Sequence, residues 1–292
     1  MERKHFLQIM ATLPIAFGLS SLGKWYDDAM QGPGSDLMPV LFLGHGSPMN
    51  GIEDNQYSRN WKDLGQTLPT PRMILVVSAH WLTKGTHVTA MENPRTIYDF
   101  GGFPDALYEV KYPAPGSPEM AKEVVQSIKS VQVGLDHEWG LDHGTWTIVR
   151  HMYPEANIPV LQLSIDFSKD ATWHIQLAQD LQKLRSKGVL IIGSGNIVHN
   201  LGRINWGGPE EFGYDWAIQA NDEMKKYVAE RNFKAMTEYQ KQGQHWQLSI
   251  PSPDHYFPLM YILGLSQPKE EVKVFNDKVA MGSITMTSFQ FG

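Results

Sequence analysis

The sequence predicts an α/β protein, one domain with a central, mostly parallel sheet flanked by helices, and a metal site at the C-terminal ends of strands. Three observations lead there. Apolar runs of strand length alternate with amphipathic stretches of helix length. The strongest runs, such as Ile74-Leu75-Val76-Val77, are apolar without interruption, as strands buried on both faces of a sheet must be. Histidines follow several of these runs directly, where open α/β sheets place their ligands.

Taken in order, residues 1–37 stand apart as a leader or N-terminal helix plus linker. A basic pair, Arg3-Lys4, precedes an apolar run over 10–22 that is too short to span a bilayer. Arg3-Lys4-His5-Phe6-Leu7-Gln8 resembles a twin-arginine export signal with Lys in place of the second Arg. A working leader makes the protein periplasmic; a retained amphipathic helix leaves it cytoplasmic. Gln31-Gly32-Pro33-Gly34-Ser35-Asp36 has linker composition, so the folded domain is expected over 38–292.

Strands are expected at Pro39–Leu43, Met73–Ser78, Val88–Met91, Val160–Ile165 and Val189–Ile192, with Ile284–Phe291 as a final edge strand. Helices are expected at Pro118–Ser130, Ala171–Ser186 and Tyr214–Glu238. Ser117 supplies an N-cap for the first, with Pro118 at its first helical position. No repeat and no linker-like stretch divides 38–292, which argues for one domain.

Composition narrows the chemistry. With 25 Lys and Arg against 31 Asp and Glu, the chain carries a net charge of −6 and no basic tract, so nucleic acid is a poor partner. The absence of cysteine excludes disulfides, thiolate nucleophiles, Fe–S clusters and Cys-based zinc sites. A metal must then be held by His, Asp or Glu, and there are 11 histidines to choose from.

His45, in Leu43-Gly44-His45-Gly46, and His80, in Val77-Ser78-Ala79-His80, each lie where a buried strand runs out. His199 follows a third strand through Gly193-Ser194-Gly195-Asn196. Three such placements point to a shared metal or catalytic site. His255 sits in a proline-stiffened loop, Pro253-Asp254-His255-Tyr256, and reads equally as a ligand or a capping residue. His143, in Leu141-Asp142-His143-Gly144, reads as a helix start or a catalytic residue. The other six histidines read as structural or solvated. A set of three or four imidazoles suits Zn, Fe, Cu or Ni over Mg and Ca. No H-E-x-x-H, G-x-S-x-G or Walker pattern occurs, and nucleotide binding lacks a glycine fingerprint.

Together these segments resemble the extradiol ring-cleaving dioxygenases of the LigB type, in their 4,5-DOPA extradiol dioxygenase-like branch. The likeness rests on Leu43–Asn50, Ser78–Trp81, Trp139–Gly144, Ser194–Asn200, Pro253–Tyr256 and Met281–Ser283, and runs from about Met38 to Gly292. It implies an oxidoreductase that inserts O2 into a catechol-type aromatic, with a small aromatic diol and O2 as partners and no integral membrane span. It also implies one mononuclear metal ion, Fe(II) for activity or Zn(II) as bound. His45, His80 and His255 match ligand positions. His199 matches a position at the metal, as a fourth ligand or an acid–base group, and His143 matches a catalytic pocket histidine. One departure stands out: His255 occupies what is often a carboxylate position in non-haem iron oxygenases, and an all-His set holds less negative charge. A zinc hydrolase on the same ligands, or a non-enzymatic metal-binding protein, are the rival readings. Trp81, Phe100, Phe103 and Tyr256 are candidate pocket walls, and Arg72, Arg95 and Lys111 are candidate cations for a substrate carboxylate.

Overall fold

The computed structural model describes residues 37–292; the leader and linker expected over 1–36 lie outside the described residues. Ten strands occur among them: β1 (Val40–Gly44), β2 (Met73–Thr83), β3 (Thr86–Thr89), β4 (Val133–Asp136), β5 (Val160–Asp166), β6 (Val189–Gly195), β7 (Val272–Phe275), β8 (Val279–Ala280), β9 (Ile284–Thr285) and β10 (Ser288–Phe291). The longer helices are α1 (Gln56–Thr67), α2 (Pro118–Ser127), α3 (His143–Met152), α4 (Ala171–Gln179), α5 (Asp215–Ala229) and α6 (Phe257–Leu265). Eight strands form one sheet in the order β4-β3-β5-β2-β6-β1-β10-β7. The central four, β5-β2-β6-β1, are parallel, and antiparallel pairs join them to the flanking strands. The fold class is therefore the one the sequence predicts.

Alternation along the strands divides the core in two, because successive side chains leave opposite faces. Phe42, Leu75, Val77 and Ile191 pack on one face with α6, while Leu41, Leu43, Ile74, Val76 and Ile192 pack on the other with Trp61 and Trp146. Every residue of α6 is buried, and it lies across β6 and β1 and beside α4. Cutting back a fully buried side chain there, such as Leu259 or Ile262, costs about 2–5 kcal/mol. Gly193 and Gly195 let the helix approach this closely, since an added Cβ would sit 2.5 Å from the Pro258 carbonyl oxygen and 2.1 Å from that of His255.

Several boundaries differ from expectation for physical reasons. Ile284–Phe291 is two strands, and β10 is interior, between β1 and β7. Thr285, which ends β9, is held away from the main sheet: its carbonyl accepts from Asn196 Nδ2 at 2.7 Å and its hydroxyl from the Val198 N–H at 2.9 Å. Ala171–Ser186 breaks after Gln179, where the Asp180 carboxylate turns outward to accept the Lys129 and Ser130 backbone N–H groups, each at 2.8 Å. Tyr214–Glu238 breaks at Arg231, which has φ of 52°, and Asn232 caps a new helix, Phe233–Thr237. No described helix is long and apolar enough to cross a membrane.

Candidate metal centre

His45 follows β1 immediately, and its backbone N–H still bonds the Gly195 carbonyl of β6 at 3.3 Å. His80 lies inside β2, at a register break where Val77 pairs with Leu163 but Leu82 with Ile165. Residues Ser78–Trp81 thus bulge out of the ladder with β5, although Ser78 still pairs with Ser194 of β6, and this re-aims the imidazole over the sheet end. Gly144 keeps that path open, as a Cβ there would stand 2.9 Å from the His80 ring. His143 opens α3, whose N-cap is the buried Asp142: its carboxylate accepts the Thr145 N–H at 3.0 Å and the Ser78 hydroxyl at 2.7 Å. His255 precedes α6, and its carbonyl accepts the Asn196 N–H at 2.9 Å. His199 is held by the Ser249 carbonyl, 2.9 Å from its N–H. All five histidines singled out from the sequence meet in one cleft of 380 Å³ at the carboxyl ends of β1, β2 and β6.

The hydrogen bonds define which ring nitrogens are free. Ser194 spends its only hydroxyl proton on the Gly144 carbonyl at 2.5 Å, so it must accept from His45 Nδ1–H at 3.0 Å. His80 Nδ1 lies 3.1 Å from Asp99 Oδ2, and His255 Nδ1 lies 2.5 Å from Asp254 Oδ2. Carboxylates accept only, so these nitrogens carry hydrogen and each Nε2 is left a bare lone pair. His45 and His80 Nε2 face each other at 3.1 Å. Two bare lone pairs that close repel unless a proton or a metal ion lies between them. Two nitrogens on one tetrahedral ion with bonds of about 2.0–2.1 Å stand about 3.3 Å apart, so the pair fits a metal.

Ring positions select the third ligand. Imidazoles sharing a tetrahedral ion have centroids about 5 Å apart. The separations are 5.0 Å for His45–His80, 5.2 Å for His45–His255 and 4.9 Å for His80–His255, a nearly equilateral triangle. By ligand atoms, His143 groups with His45 and His80, and His255 with His199 and Asp254, each group within 4.8 Å; but the His143 ring is too close to that of His80, at 3.9 Å, for the two to share an ion. His199 stacks on His255 at 3.4 Å with planes 8° apart. An ion in the plane of one such ring lies far out of the plane of the other, so His199 can join as a ligand only by leaving the stack.

Asp99 is the residue sequence reasoning missed. Its Oδ2 accepts from the Nδ1–H of both His80 and His143, the latter at 3.0 Å, while Oδ1 accepts the His143 backbone N–H at 2.9 Å. These bonds hold its carboxyl well below the usual range against the opposing effect of burial. Burial also works to lower the His80 pKa, but the bond to Asp99 and the Asp142 charge outweigh it and the value is raised. Burial lowers His45 and His255 well below 6.5, pushes His199 down to about 4, and lowers His143 despite Asp99. Apart from His80, the cluster is arranged to stay neutral.

Phe100 and Phe103 line the cleft, and Leu201, Ile204 and the 77% exposed Trp206 form its outer wall. Trp81 and Tyr256 are core instead: the first stacks on Trp139, and the second gives its hydroxyl to the Met236 carbonyl. None of the three candidate cations lines the cleft. Arg72 pairs with Glu123, Arg95 bonds the Trp139 carbonyl, and Lys111 is exposed.

The chain is similar in sequence and fold to known proteins. The model of the family described as the catalytic LigB subunit of aromatic ring-opening dioxygenase matches residues 39–292. A protein of Escherichia coli K12 named 4,5-DOPA dioxygenase extradiol is 48% identical over 261 residues, covering 88% of this chain and 96% of that one. A Beta vulgaris protein of the same name is 34% identical over 268 residues, with 89% and 98% covered. A crystal structure of an uncharacterized Escherichia coli K12 protein superposes with a TM-score of 0.74 at 43% identity, covering 87% of this chain and all of that one.

Proposed function

The chain belongs to the LigB family of aromatic ring-opening dioxygenases, and from that premise we propose that it opens a catechol-type ring of the 4,5-DOPA kind beside its diol, using O2. The reaction is assigned to residues 38–292. The main support is the triangle of His45, His80 and His255, each with Nδ1 tied back and ring centroids 4.9–5.2 Å apart, in an aromatic-walled cleft. These three would hold one metal ion, Fe(II) for activity, with Zn(II) as a competing occupant. When bound, the metal supplies the charge that attracts the diol oxygens and the redox link between the ring and O2.

The remaining steps belong to this chain's side chains. With Nδ1–H committed to Asp99, His143 presents Nε2 as an acceptor, placed to take a hydroxyl proton from the diol. Its lowered pKa keeps it neutral, and so ready to accept, near pH 7. His199, free of any carboxylate partner and neutral above about pH 4, serves as the second proton carrier on the His255 side. Phe100 and Phe103 exclude water and receive the flat ring. A zinc hydrolase gains no support from relatives that are dioxygenases by name.

Loading the protein with Fe(II) without air, then adding a catechol and O2, is expected to consume one O2 per ring opened and to give a yellow product. Full iron loading without oxygen uptake on any simple catechol would refute the proposal. For residues 1–37 we propose an export leader; an intact N-terminus on protein from the cytoplasm of its native host would overturn that.

A further inference from the structure

A second cavity, of 190 Å³, adjoins the cleft, and the two share Gly46, Ser47, Met281 and Ile284 as a common wall. It differs in character from the histidine cleft. Glu53 and Glu210, far apart in sequence, both line it, together with Tyr57. Tyr57 is only 2% exposed, yet its hydroxyl has no hydrogen-bond partner. The neighbouring Gln56, near enough to oppose the rise in the Tyr57 pKa, gives its amide to Glu211, at 2.7 Å. A buried phenol left unpaired is unfavourable, which marks a place where a polar group of a ligand belongs.

Charge points to the kind of group. Burial and then the negative fields of Glu210 and Glu211 push the Tyr57 phenol up to about 12, so the chamber carries negative potential. Among the described residues, no Lys or Arg lines either cavity. A substituent that passes from a ring held at the histidines over Met281 and Ile284 enters this acidic space. A carboxylate there meets two like charges; an ammonium meets two opposite ones and a phenol oxygen free to accept its N–H.

We infer that the chamber is a side-chain subsite, continuous with the ring-opening cleft, that takes a protonated amine and disfavours a carboxylate, so that the substrate class is catechols with a cationic tail. The inference rests on the dioxygenase reading of the cleft. A substrate carrying both groups, such as DOPA, gains from one and loses from the other.

The test compares four catechols on the Fe(II)-loaded enzyme at low salt: 4-methylcatechol, dopamine, DOPA and 3,4-dihydroxyphenylpropanoate. Two exposed ion pairs predict that kcat/KM for dopamine exceeds that for 4-methylcatechol by roughly twofold to tenfold at low salt. The carboxylate compound falls below 4-methylcatechol, and DOPA lies between. In a Glu53→Gln, Glu210→Gln double variant the dopamine to 4-methylcatechol ratio drops to near one, and Tyr57→Phe lowers it by a smaller factor. Equal values for all four substrates, or a preference for the carboxylate, overturns the subsite while leaving the dioxygenase intact. If none is turned over, the dioxygenase reading fails by itself, and calorimetric binding still decides the subsite. Dopamine binding that is lost in the double variant supports it, and no dopamine binding to the wild type overturns it.

Discussion

Replacing Asp99 by Asn changes one oxygen to an NH2 group with almost no change in shape, so its effect isolates the carboxylate. The native side chain accepts three N–H groups: two imidazole Nδ1–H groups at 3.1 and 3.0 Å on Oδ2, and a backbone N–H at 2.9 Å on Oδ1. Asn has one acceptor oxygen. If it stays on the backbone N–H, the amide NH2 faces two ring N–H groups, and donor meets donor. His80 and His143 escape by moving their hydrogens to Nε2, but that nitrogen is the one His80 turns toward His45. The lost bonds are charge-assisted, at about 1.5–3 kcal/mol each. Metal affinity should therefore fall about 10–100-fold, the usual cost of removing a partner behind a ligand. Turnover at full metal loading should fall about 10²–10⁴-fold, because His143 can no longer accept a proton at Nε2. Metal titration followed by oxygen uptake separates the two effects. An Asp99→Asn enzyme with wild-type affinity and wild-type kcat would show that Asp99 sets neither tautomer.

Metal content across alanine variants divides the histidines: His45→Ala, His80→Ala and His255→Ala should lose the ion, whereas His143→Ala should keep it and lose rate. His199→Ala should also keep it, since its ring stacks on His255 with planes 8° apart; metal loss in that variant would show that the ring leaves the stack to coordinate. Gly144→Ala touches no ligand directly but places a Cβ 2.7 Å from Ser78 Oγ and 2.9 Å from the His80 ring, so it should weaken metal binding and cost about 1–3 kcal/mol of stability by urea unfolding. His174, wedged between Phe257 and Tyr261, has its pKa pushed down to about 4 by burial, from 6.5. Keeping it neutral stabilises the fold fully above pH 6.5, and this contribution is lost as pH falls toward 4, reaching about 2–3 kcal/mol by pH 4.5. A His174→Phe variant should lose less stability than wild type between pH 7 and 4.5, and equal losses would assign the acid sensitivity elsewhere.

The ends of β1 and β6 were legible because continuous apolar residues followed by glycine and histidine leave little choice of structure. The sequence alone ends β2 too early, at Ser78 rather than Thr83. After Val77 the pattern Ser78-Ala79-His80-Trp81 is neither apolar nor alternating, and only the pairing with β5 shows that it bulges and resumes at Leu82. α3 shows in the sequence only as one alternative, a helix start at His143, because its first turn, His143-Gly144-Thr145, carries a glycine that helices disfavour and that the His80 ring requires. Trp81 and Tyr256 look like pocket walls by composition, but burial against Trp139 and below the Met236 carbonyl is a matter of tertiary packing. Asp99 had no local signal. An aspartate before Phe100-Gly101-Gly102 looks like any turn residue, and its contact with His143 spans 44 positions of chain.

Asp99 also bears on the charge of the site. The family resemblance puts His255 where a carboxylate often ligates iron, which leaves the proposed ligand set neutral. The structure places carboxylates one hydrogen bond further out, Asp254 on His255 and Asp99 on His80, while His45 is backed only by the Ser194 hydroxyl. An imidazole that donates Nδ1–H to a carboxylate is a stronger electron donor at Nε2 than one that donates to a hydroxyl. The three candidate ligands are therefore unequal, with His80 and His255 the stronger and His45 the weaker. Negative charge lost from the ligand set is partly restored behind it without occupying a coordination position. Asp254→Asn tests that directly: it leaves all three imidazoles in place, yet should lower metal affinity about 10–100-fold. Ser194→Ala, which removes a neutral partner from His45, should cost less. If the two variants lose equal affinity, carboxylate charge is not what distinguishes the ligands, and hydrogen-bond orientation alone accounts for the arrangement.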